Sequence, residues 1–390
     1  MNQKKKLLVT ASTFPRWEGD TEPRFILDYA KAMMDYYDVT VLAPAAPGAI
    51  EEEVIEGVHV VRFHYFPIHK WETLCYPGAI VPRLKEKKIR LFLVPFFMIS
   101  LKRFLTKFSL QFDLVHAHWL IPQGIVQAKI KGIPYLVTGH GGDVTSLNNV
   151  FCKSIKAKCM GCAIVTVGVS SYICDKMKEI NPGINPKMIS MGCDLSKFSP
   201  EKRDDNYFSH EKKNILFVGR LAEKKGVTYL IDAMNEIDAM LYIVGEGPLE
   251  KDLKEQAGRH NKKIVFVGSK SHDELPIIYA SSDLFVAPSI VAKNGDQEGL
   301  PVSIMEAMAS GVPVICGLSG GTKDIVNDGI NGFILDVKDV KLLVQRINQI
   351  IGDDVMAASM KECALKTVKD YSYKKIAEKY IQLIREAQEQ

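Results

Sequence analysis

The stretch Asp296-Gln-Glu-Gly-Leu-Pro-Val-Ser-Ile-Met-Glu306 places a glycine-containing loop directly before a predicted helix. Pro301 suits the first turn of that helix, where its missing N–H has no intrahelical bond to lose. Good helix formers follow, and Gly311-Val-Pro313 predicts the end of the helix. We therefore expect Glu298 beside the helix N-terminus and Glu306 about one and a half turns inside the helix.

The start of this helix is a predicted anion site. The first backbone N–H groups, those of Gly299 and Leu300 among them, have no carbonyl partner within the helix and are available to an anion. The carboxylates of Glu298 and Glu306 flank the site. This arrangement suits a ligand that carries both phosphate and hydroxyl groups, and a nucleotide sugar is such a ligand.

The length of 390 residues exceeds one ordinary hydrophobic core and favours two domains of similar size. Apolar residues make up 47% of the chain and charged residues 25%, which is typical of globular proteins. The net charge of +4 is small for this length, and no basic segment interleaved with aromatic residues accompanies it. We therefore do not expect a nucleic-acid-binding protein.

Short β-rich runs alternate with helical patterns along the whole chain, which predicts mainly parallel sheets with crossover helices. The predicted strands of the first half are Leu7–Thr10, Val39–Leu42, Val58–Phe63, Leu114–Ala117, Tyr135–Thr138 and Ile164–Val167. Those of the second half are Asn214–Val218, Met240–Val244, Ile264–Val267, Leu284–Ala287, Pro313–Cys316 and Gly332–Leu335. We predict two doubly wound domains over 1–198 and 199–372, and an amphipathic helix over 373–390 that could pack back on the first domain.

No secretory signal is predicted, because the charged N-terminus leads directly into the strand at Leu7. The longest apolar run, Leu91 to Leu101, spans about half of the roughly 20 residues that a membrane helix requires. A cytoplasmic protein is therefore expected, either free or peripheral on the inner membrane face.

The segment 83–107 is basic at both ends and apolar within. It could lie at the surface of a membrane that contains anionic lipids, or it could be a core-packed helix that Pro95 kinks or interrupts. The first alternative makes the following cations candidate lipid contacts: Lys85, Lys87, Lys88, Arg90, Lys102 and Arg103.

The loop Val218-Gly-Arg-Leu-Ala-Glu-Lys-Lys-Gly226 follows the first strand of the second half. Arg220 and Lys225 are spaced so that a tight loop could direct both at one diphosphate, the first as a planar fork and the second as a compact charge. Lys224 is expected to point elsewhere.

Other strands also end in glycine turns. Gly245 and Gly268 suggest a wall where a planar base could meet backbone, although glycine punctuates most loops. The turn 317–322 is expected close to the helix that carries Glu306, and Gly19, after the first strand, could let backbone approach a diphosphate.

Histidines follow two strands of the first half. His140 lies between glycines in Gly139-His-Gly-Gly-Asp143 and is the main functional candidate, whereas His116 and His118 belong to or end the preceding strand. A zinc site made of these histidines is not favoured, because no fourth ligand is evident. We therefore predict no metal site.

The cysteines allow two interpretations. Cys159 and Cys162, with Cys152 and Cys174 nearby, could be metal or iron–sulfur ligands. A second paired motif is missing, so we expect buried thiols that pack as small apolar side chains.

The motifs together resemble those of retaining glycosyltransferases of family four. The resemblance rests on EGLPVSIMEAMASGVPVI, VGRLAEKKG, SGGTKDIVNDGINGF, HAHW, GHGGD and GCDLSKFSP, and it spans nearly the whole chain. It implies the GT-B fold, an α/β architecture of two Rossmann-like domains facing a central cleft, with the nucleotide sugar bound mainly by the C-terminal domain. This chain departs from the family pattern at Met191, where the family usually has Asn, and in carrying the single Gly19 where many members carry two glycines.

The resemblance also implies the roles of individual residues. Arg220 and Lys225 would neutralise the donor diphosphate, Glu306 would bind the ribose, and Glu298 would contact the transferred sugar. His140 would lie by the reacting centre. The implied donor-binding set is Gly19, Arg220, Lys225, Gly245, Gly268, Glu298, Gly299, Leu300, Pro301 and Glu306, and the acceptor-side set is His118, His140 and Asp143.

The implied reaction transfers a hexose-type sugar from a UDP or GDP sugar. It would retain the anomeric configuration and require neither a metal nor a cofactor. The acceptor would be a glycan, a lipid-linked sugar or a small molecule. Three alternatives remain. A glycoside hydrolase would not need the basic loop, whereas a nucleotide-sugar epimerase of the same fold and a non-catalytic nucleotide-sugar-binding protein both fit the donor motifs.

Overall fold

A computed structural model describes residues 4–208, 211–259, 263–293 and 295–389. The described strands are β1 (Lys6–Thr10), β2 (Asp38–Pro44), β3 (Glu52–Ile55), β4 (Val58–Phe63), β5 (Leu114–His118), β6 (Tyr135–Gly139), β7 (Val165–Gly168), β8 (Lys187–Met188), β9 (Lys213–Val218), β10 (Ala239–Val244), β11 (Ile264–Gly268), β12 (Leu284–Ala287), β13 (Val314–Gly317) and β14 (Gly332–Leu335). All predicted strands are present, and their ends differ by at most two residues. The sequence reading missed β3 and β8.

The helices lie between these strands and beyond the last of them. They are α1 (Phe25–Met33), α2 (Ile80–Glu86), α3 (Leu93–Phe108), α4 (Ile125–Gln127), α5 (Gly142–Thr145), α6 (Val150–Cys162), α7 (Ser171–Ile180), α8 (Val227–Ala233), α9 (Glu250–Ala257), α10 (Leu275–Ala280), α11 (Val302–Ala309), α12 (Val340–Ile351), α13 (Asp354–Val368) and α14 (Tyr373–Gln388). Among these described helices, none combines the length and apolar character that crossing a bilayer requires.

The chain forms two compact units. The first comprises Met1–Ser190 and Tyr373–Gln390, and the second comprises Met191–Ser372. The division between Ser190 and Met191 falls before the boundary that we predicted after residue 198. Because α14 belongs to the first unit, the chain leaves that unit once and returns to it.

Each unit is built on a mainly parallel sheet, which confirms the predicted α/β class. Within the described residues, the first unit has the strand order β3-β4-β2-β1-β5-β6-β7-β8, and the second has the order β11-β10-β9-β12-β13-β14. The pairing is parallel throughout except between β3 and β4. The central strands are continuous runs of buried aliphatic residues, as expected where helices cover both faces.

The strand orders indicate where each sheet has its expected ligand-binding crevice. The order of connection reverses between β1 and β5 in the first unit and between β9 and β12 in the second. In doubly wound sheets a crevice opens at this reversal, outside the carboxyl ends of the strands. The loops that follow these four strands are therefore the positions to search.

The segment 83–107 combines features of both predicted alternatives. Helix α3 buries Leu93, Phe97, Leu101 and Leu105, which recur every four residues and so lie on one face. Its other face and the 3₁₀ turn Lys88–Phe92 leave large apolar side chains exposed. Pro95 does not interrupt the helix, because it is the third residue, where a backbone N–H has no intrahelical partner.

Candidate functional site

The loop after β9 is shaped by two glycines. Gly226 has a φ of +64°, and a Cβ there would lie 1.9 Å from the carbonyl oxygen of Pro288. The backbone N–H of Ile290 also donates to the carbonyl oxygen of Lys224 at 2.8 Å. The loops after β9 and β12, the strands on either side of the reversal, are therefore held together, and the first presents the exposed side chain of Arg220.

Two lysines of this loop pair with Glu298. The Lys225 Nζ lies 3.4 Å from Glu298 Oε2, and the Lys224 Nζ lies 3.3 Å from Glu298 Oε1 and 3.5 Å from Asp296 Oδ1. Our expectation that Lys224 points elsewhere was wrong, because the 3₁₀ turn Glu223–Lys225 directs both ammonium groups to the same carboxylate. The structure thus brings Lys225 and Glu298 together as one charged cluster.

The charge of this cluster is stable near neutral pH. Burial alone would raise the pKa of Glu298, but the ammonium groups of Lys225 and Lys224 outweigh it and lower the pKa below its ordinary value of 4.5. Burial likewise opposes the charge of Lys224, and Glu298 and Asp296 together raise its pKa. Glu298 and Lys224 are therefore both ionised at pH 7.

The turn after β13 holds the backbone around Glu298. Gly320 has a φ of +60°, and a Cβ there would lie 2.0 Å from the carbonyl oxygen of Glu298. The Gly320 N–H donates to Gln297 Oε1 at 3.2 Å, and the Gly321 N–H donates to the carbonyl oxygen of Gly299. The predicted proximity of this turn to the loop before α11 is confirmed.

Helix α11 begins after Pro301, and Glu306 lies in its second turn. The buried Glu306 carboxylate accepts a hydrogen bond from the Tyr279 hydroxyl on Oε2 at 2.9 Å, and its Oε1 lies 3.7 Å from His272 Nε2. The Nδ1 atom of His272 is buried without a hydrogen-bond partner among the described residues. Tyr279 therefore holds one carboxylate oxygen of Glu306 by a hydrogen bond, and the other oxygen faces His272.

The two remaining glycine turns of the second unit differ from each other. A Cβ on Gly245 would lie 2.1 Å from the carbonyl oxygen of Gly219, so the absence of a side chain there allows the two loops to pack. Gly268 has a φ of +77° and open space around its Cβ position. Of the two, Gly268 leaves its backbone accessible to a flat ligand.

In the first unit, the rings of His118, Trp119 and Phe25 pack around His140. Its Nε2 lies 3.0 Å from His118 Nδ1, and its ring centroid lies 4.8 Å from that of Trp119 and 5.5 Å from that of Phe25. His140 is partly exposed, whereas His118 is fully buried. Burial lowers the pKa of His140 to about 3 and that of His118 well below its ordinary value. Both rings are therefore neutral at pH 7.

His118 is buried, and Asp143, which is partly exposed, bonds to the backbone of the loop that carries His140. The Asp143 carboxylate accepts the backbone N–H groups of His140, Gly141 and Leu120 at 3.0, 2.9 and 2.8 Å. These bonds join the ends of β5 and β6. His118 and Asp143 thus contact His140 and its loop directly, and their assignment to the acceptor side stays a prediction.

The buried histidine of β5 connects this site to α14. His116 Nδ1 lies 2.7 Å from the Tyr29 hydroxyl, and His116 Nε2 lies 2.8 Å from Thr138 Oγ1. Thr138 Oγ1 lies 3.0 Å from the hydroxyl of Tyr380 on α14. This chain of hydrogen bonds gives His116 a structural role, as its place within a strand suggested.

Gly19 lies in the loop after β1, with a φ of +81° and open space at its Cβ position. The Arg16–Asp20 ion pair, 2.8 Å between Nη2 and Oδ1, closes the turn around it. Gly19 is exposed, and no described contact joins it to His140, so its place near the diphosphate stays a prediction.

Several residues of these sites were not evident from the sequence. Lys224 depends on the direction of a turn, and Tyr279 and His272 carry no local motif. Trp119 was visible in His116-Ala-His-Trp119, but the sequence gave no sign that its ring would pack against His140.

The cysteines do not form a metal cluster among the described residues. All of their thiols are free, Cys159 is buried, and Cys162 is exposed, which is contrary to the expected burial. In the described part of the chain, the histidine, cysteine and carboxylate atoms close enough to share a metal ion belong to His64, His69 and Glu72.

Two known family models match this chain, one over each half. Residues 23–197 match the model described as "Glycosyltransferase Family 4", and residues 198–367 match the model described as "Glycosyl transferases group 1". The two matches are contiguous and together include every candidate residue named above except Gly19.

Two characterised relatives illustrate the similarity. The chain is 26% identical over 368 residues to the UDP-Gal:alpha-D-GlcNAc-diphosphoundecaprenol alpha-1,3-galactosyltransferase of Escherichia coli, covering 83% of this chain and 92% of that protein. It is 36% identical over 223 residues to the GDP-mannose-dependent alpha-mannosyltransferase of Corynebacterium glutamicum, covering 56% of this chain and 51% of that protein.

A solved structure shows the same fold. The Anabaena protein HepE, determined in complex with UDP and glucose, superimposes with a TM-score of 0.74. The match covers 98% of this chain and 100% of HepE at 18% sequence identity. At this identity the similarity concerns the fold.

Proposed function

Because this chain belongs to the group 1 glycosyltransferases, we propose that it transfers a hexose-type sugar from a nucleotide-diphosphate sugar with retention of anomeric configuration. The observation that carries the proposal is the cluster of Lys224, Lys225 and Glu298 at the reversal point of the second sheet. A glycoside hydrolase has no use for two lysines there, whereas a donor diphosphate needs cationic partners.

The donor would bind the second unit through groups of different chemistry. Arg220 and Lys225 would contact the diphosphate, the first N–H groups of α11 near Leu300 would hold an anionic oxygen, and Glu306 would accept hydrogen bonds from the ribose. Gly268 leaves room for the base against backbone. Glu298 would hold hydroxyls of the transferred sugar, because its ionised carboxylate is a strong acceptor.

The chemical step breaks the bond between the anomeric carbon and the diphosphate oxygen and forms a bond from that carbon to the acceptor oxygen, whose proton passes to the departing diphosphate. Negative charge builds on the departing diphosphate. Fixed cations at Arg220 and Lys225 would stabilise it without the reorganisation that water requires, which lowers the barrier. In this proposal neither Glu298 nor Glu306 acts as a nucleophile, and the cations do the work of a metal ion.

His140 would serve the acceptor on the first unit. Its Nε2 is engaged with His118, so Nδ1 is the ring nitrogen left for a substrate hydroxyl. Its low pKa keeps the ring neutral, and a neutral imidazole can accept a hydrogen bond. The rings of Trp119 and Phe25 fix its orientation.

We further propose a lipid-linked acceptor, reached by docking on an anionic membrane. The supporting observation is an exposed apolar surface with cations around it, which we name the apolar–basic surface. Its apolar members are Ile68, Trp71, Ile89, Leu91, Phe92, Phe96 and Ile99, and its cations are Lys70, Lys85, Lys87, Lys88, Lys102 and Arg103. Arg90, one of our candidates, does not belong to it, because its buried guanidinium donates to the Arg83 carbonyl oxygen at 2.7 Å.

The transfer proposal is tested by incubating the protein with labelled UDP and GDP sugars and a panel of lipid-linked and glycan acceptors. Labelled product whose new bond has the donor's anomeric configuration supports the proposal, and inverted configuration contradicts the retaining part. Epimerised donor indicates the epimerase alternative, and binding without turnover indicates a sensor. Activity that persists in EDTA supports the metal-independent mechanism.

The membrane proposal is tested separately by co-sedimentation with phosphatidylcholine vesicles that contain or lack phosphatidylglycerol. We expect binding only to the anionic vesicles, weaker in 0.5 M salt because of screening, and lost in a Phe92→Ser, Ile89→Ser variant. Equal binding of the variant and the unsubstituted protein would contradict the assignment of this surface.

A further inference from the structure

A cluster of metal-ligating side chains lies outside the site described above, where the loop after β4 turns back on itself. His64 immediately follows the strand, His69 begins the 3₁₀ turn His69–Trp71, and Glu72 ends that turn. One ligand atom from each of these residues lies within 4.8 Å of the others. We propose that His64, His69 and Glu72 bind a divalent transition-metal ion of the zinc class.

The types of the three ligands suit such an ion. Imidazole nitrogen and carboxylate oxygen are typical zinc ligands, each about 2.0–2.2 Å from the metal, and sites with three protein ligands complete their coordination with water. The rings of His64 and His69 stack with centroids 3.5 Å apart and planes inclined by 8°. In this stacked arrangement the nitrogen lone pairs point side by side, so one ring must rotate before both rings can bind the same ion. The ring of His69 is exposed and has room to rotate.

The surroundings hold two of the ligands in place. Glu72 is buried, and its Oε1 accepts the backbone N–H groups of Tyr65 and Phe66, so Oε2 remains directed at His64 Nδ1, 2.6 Å away. On the other side of the ring, His64 Nε2 lies 3.2 Å from Glu51 Oε1. A metal-bound histidine commonly donates its second N–H to a carboxylate, which orients the ring and strengthens the ligand.

Binding would have a structural consequence. The metal would replace the proton shared by His64 and Glu72 and would tie the far end of the turn, at His69, to the end of β4. The turn between these ligands carries Ile68 and Trp71 of the apolar–basic surface. The ion would therefore fix the conformation in which these two side chains are exposed.

The same sheet region supplies a matched control. His59 on β4 pairs with Glu52 on β3, with His59 Nε2 2.9 Å from Glu52 Oε1, but no second histidine stacks on it among the described residues. His69→Ala removes one proposed ligand from an exposed position, whereas His59→Ala removes a partly exposed histidine that pairs with a glutamate as His64 does.

The test is equilibrium dialysis of the untagged protein against Zn²⁺, with bound metal measured per chain. We expect His69→Ala to lose one equivalent that His59→Ala retains, and Glu51→Gln to bind this equivalent about 10–100-fold more weakly. We also expect Zn²⁺ to slow amide exchange of residues 64–72 in the unsubstituted protein and not in His69→Ala.

Either of two results would overturn the proposal. One is an unsubstituted protein that binds no Zn²⁺, and the other is a His69→Ala variant with unchanged stoichiometry and affinity, which would place any bound metal elsewhere, for example at the exposed Cys162. Circular dichroism of metal-free His69→Ala checks that the variant is folded.

Discussion

The ammonium group of Lys225 lies 3.4 Å from the carboxylate of Glu298, although the two residues follow different strands of the second sheet. The pair joins the group proposed to bind the diphosphate to the group proposed to bind the sugar. Because Lys224 contacts the same carboxylate from the other side, the three charges are placed before a donor arrives. Under the proposed function, the donor would therefore bind to charges that are already in place.

Lys225→Ala should weaken binding of UDP or GDP by about 10-fold or more, because a charge-assisted hydrogen bond contributes about 1.5–3 kcal/mol. Isothermal titration calorimetry with the free nucleoside diphosphates measures this. Lys251→Ala on α9 is the control, since that lysine is exposed and lies 3.9 Å from Glu255. Unchanged binding in Lys225→Ala would remove Lys225 from the diphosphate site.

Glu306→Ala should weaken nucleotide binding by removing an acceptor for the ribose hydroxyls. The loss should be smaller for a 2′,3′-dideoxynucleoside diphosphate, because that ligand has no hydroxyls to lose. Tyr279→Phe keeps the carboxylate and removes only its 2.9 Å hydrogen bond, so its effect should be the weaker of the two. Equal losses of affinity for both nucleotides would contradict the ribose assignment.

Gly320→Ala should destabilise the second unit by about 3 kcal/mol or more, because its Cβ would lie 2.0 Å from the Glu298 carbonyl oxygen. Gly329→Ala is a matched control with a similar φ of +76° but open space at the Cβ, and it should cost only about 1–2 kcal/mol for the left-handed conformation. Tm values of the two variants measure the difference, and equal values would mean that the Glu298 loop yields to the added methyl group.

Glu56→Gln should destabilise the protein at pH 7 by about 1–2 kcal/mol and by less at pH 3.5. Hydrogen bonds from Arg24, and secondarily from Lys31, lower the pKa of Glu56 from 4.5 to about 2 despite partial burial. A depressed pKa adds stability that is complete above about pH 4.5 and is lost as the pH falls towards 2. Tm measured against pH tests this, with Glu52→Gln on the same hairpin as a control that should show little change.

Tyr380→Phe should destabilise the first unit by about 1 kcal/mol, since it removes one buried hydrogen bond to Thr138. Thr138→Val should cost more, because it also removes the partner of His116. The double variant should cost less than the sum of the two single variants, because both lose the same bond. Tyr207→Phe, at a partly exposed tyrosine of the second unit, is the control for loss of a hydroxyl group.

The fold was predictable because its central strands are continuous apolar runs. Such runs are typical of parallel strands that are buried on both faces of the sheet. The two missed strands lack that signal. Glu52–Ile55 is an edge strand that begins with two glutamates, and Lys187–Met188 has only two residues. Such edges are defined by the neighbouring strand, and a single sequence does not show that neighbour.

The candidate site was predictable only in part, because residue type and spacing place a residue on a loop but do not give its direction. Lys224 and Lys225 are adjacent and chemically identical, and the 3₁₀ turn decides that both reach Glu298. His118 ends β5 and His140 follows β6, and both pack against α1, yet the first is buried and the second is partly exposed. The directions and burial of these side chains are set by tertiary packing.

Helix α14 packs on the first unit but is encoded after the second unit. During synthesis a ribosome releases residues 1–190 well before Tyr380 exists, and domains otherwise tend to fold in the order in which they emerge. Until α14 arrives, Thr138 and the face of α1 that packs against it remain uncovered. The half of the protein that is made first can therefore be completed only when the last helix has been made, and a nascent chain must keep that surface from aggregating while the second unit is translated.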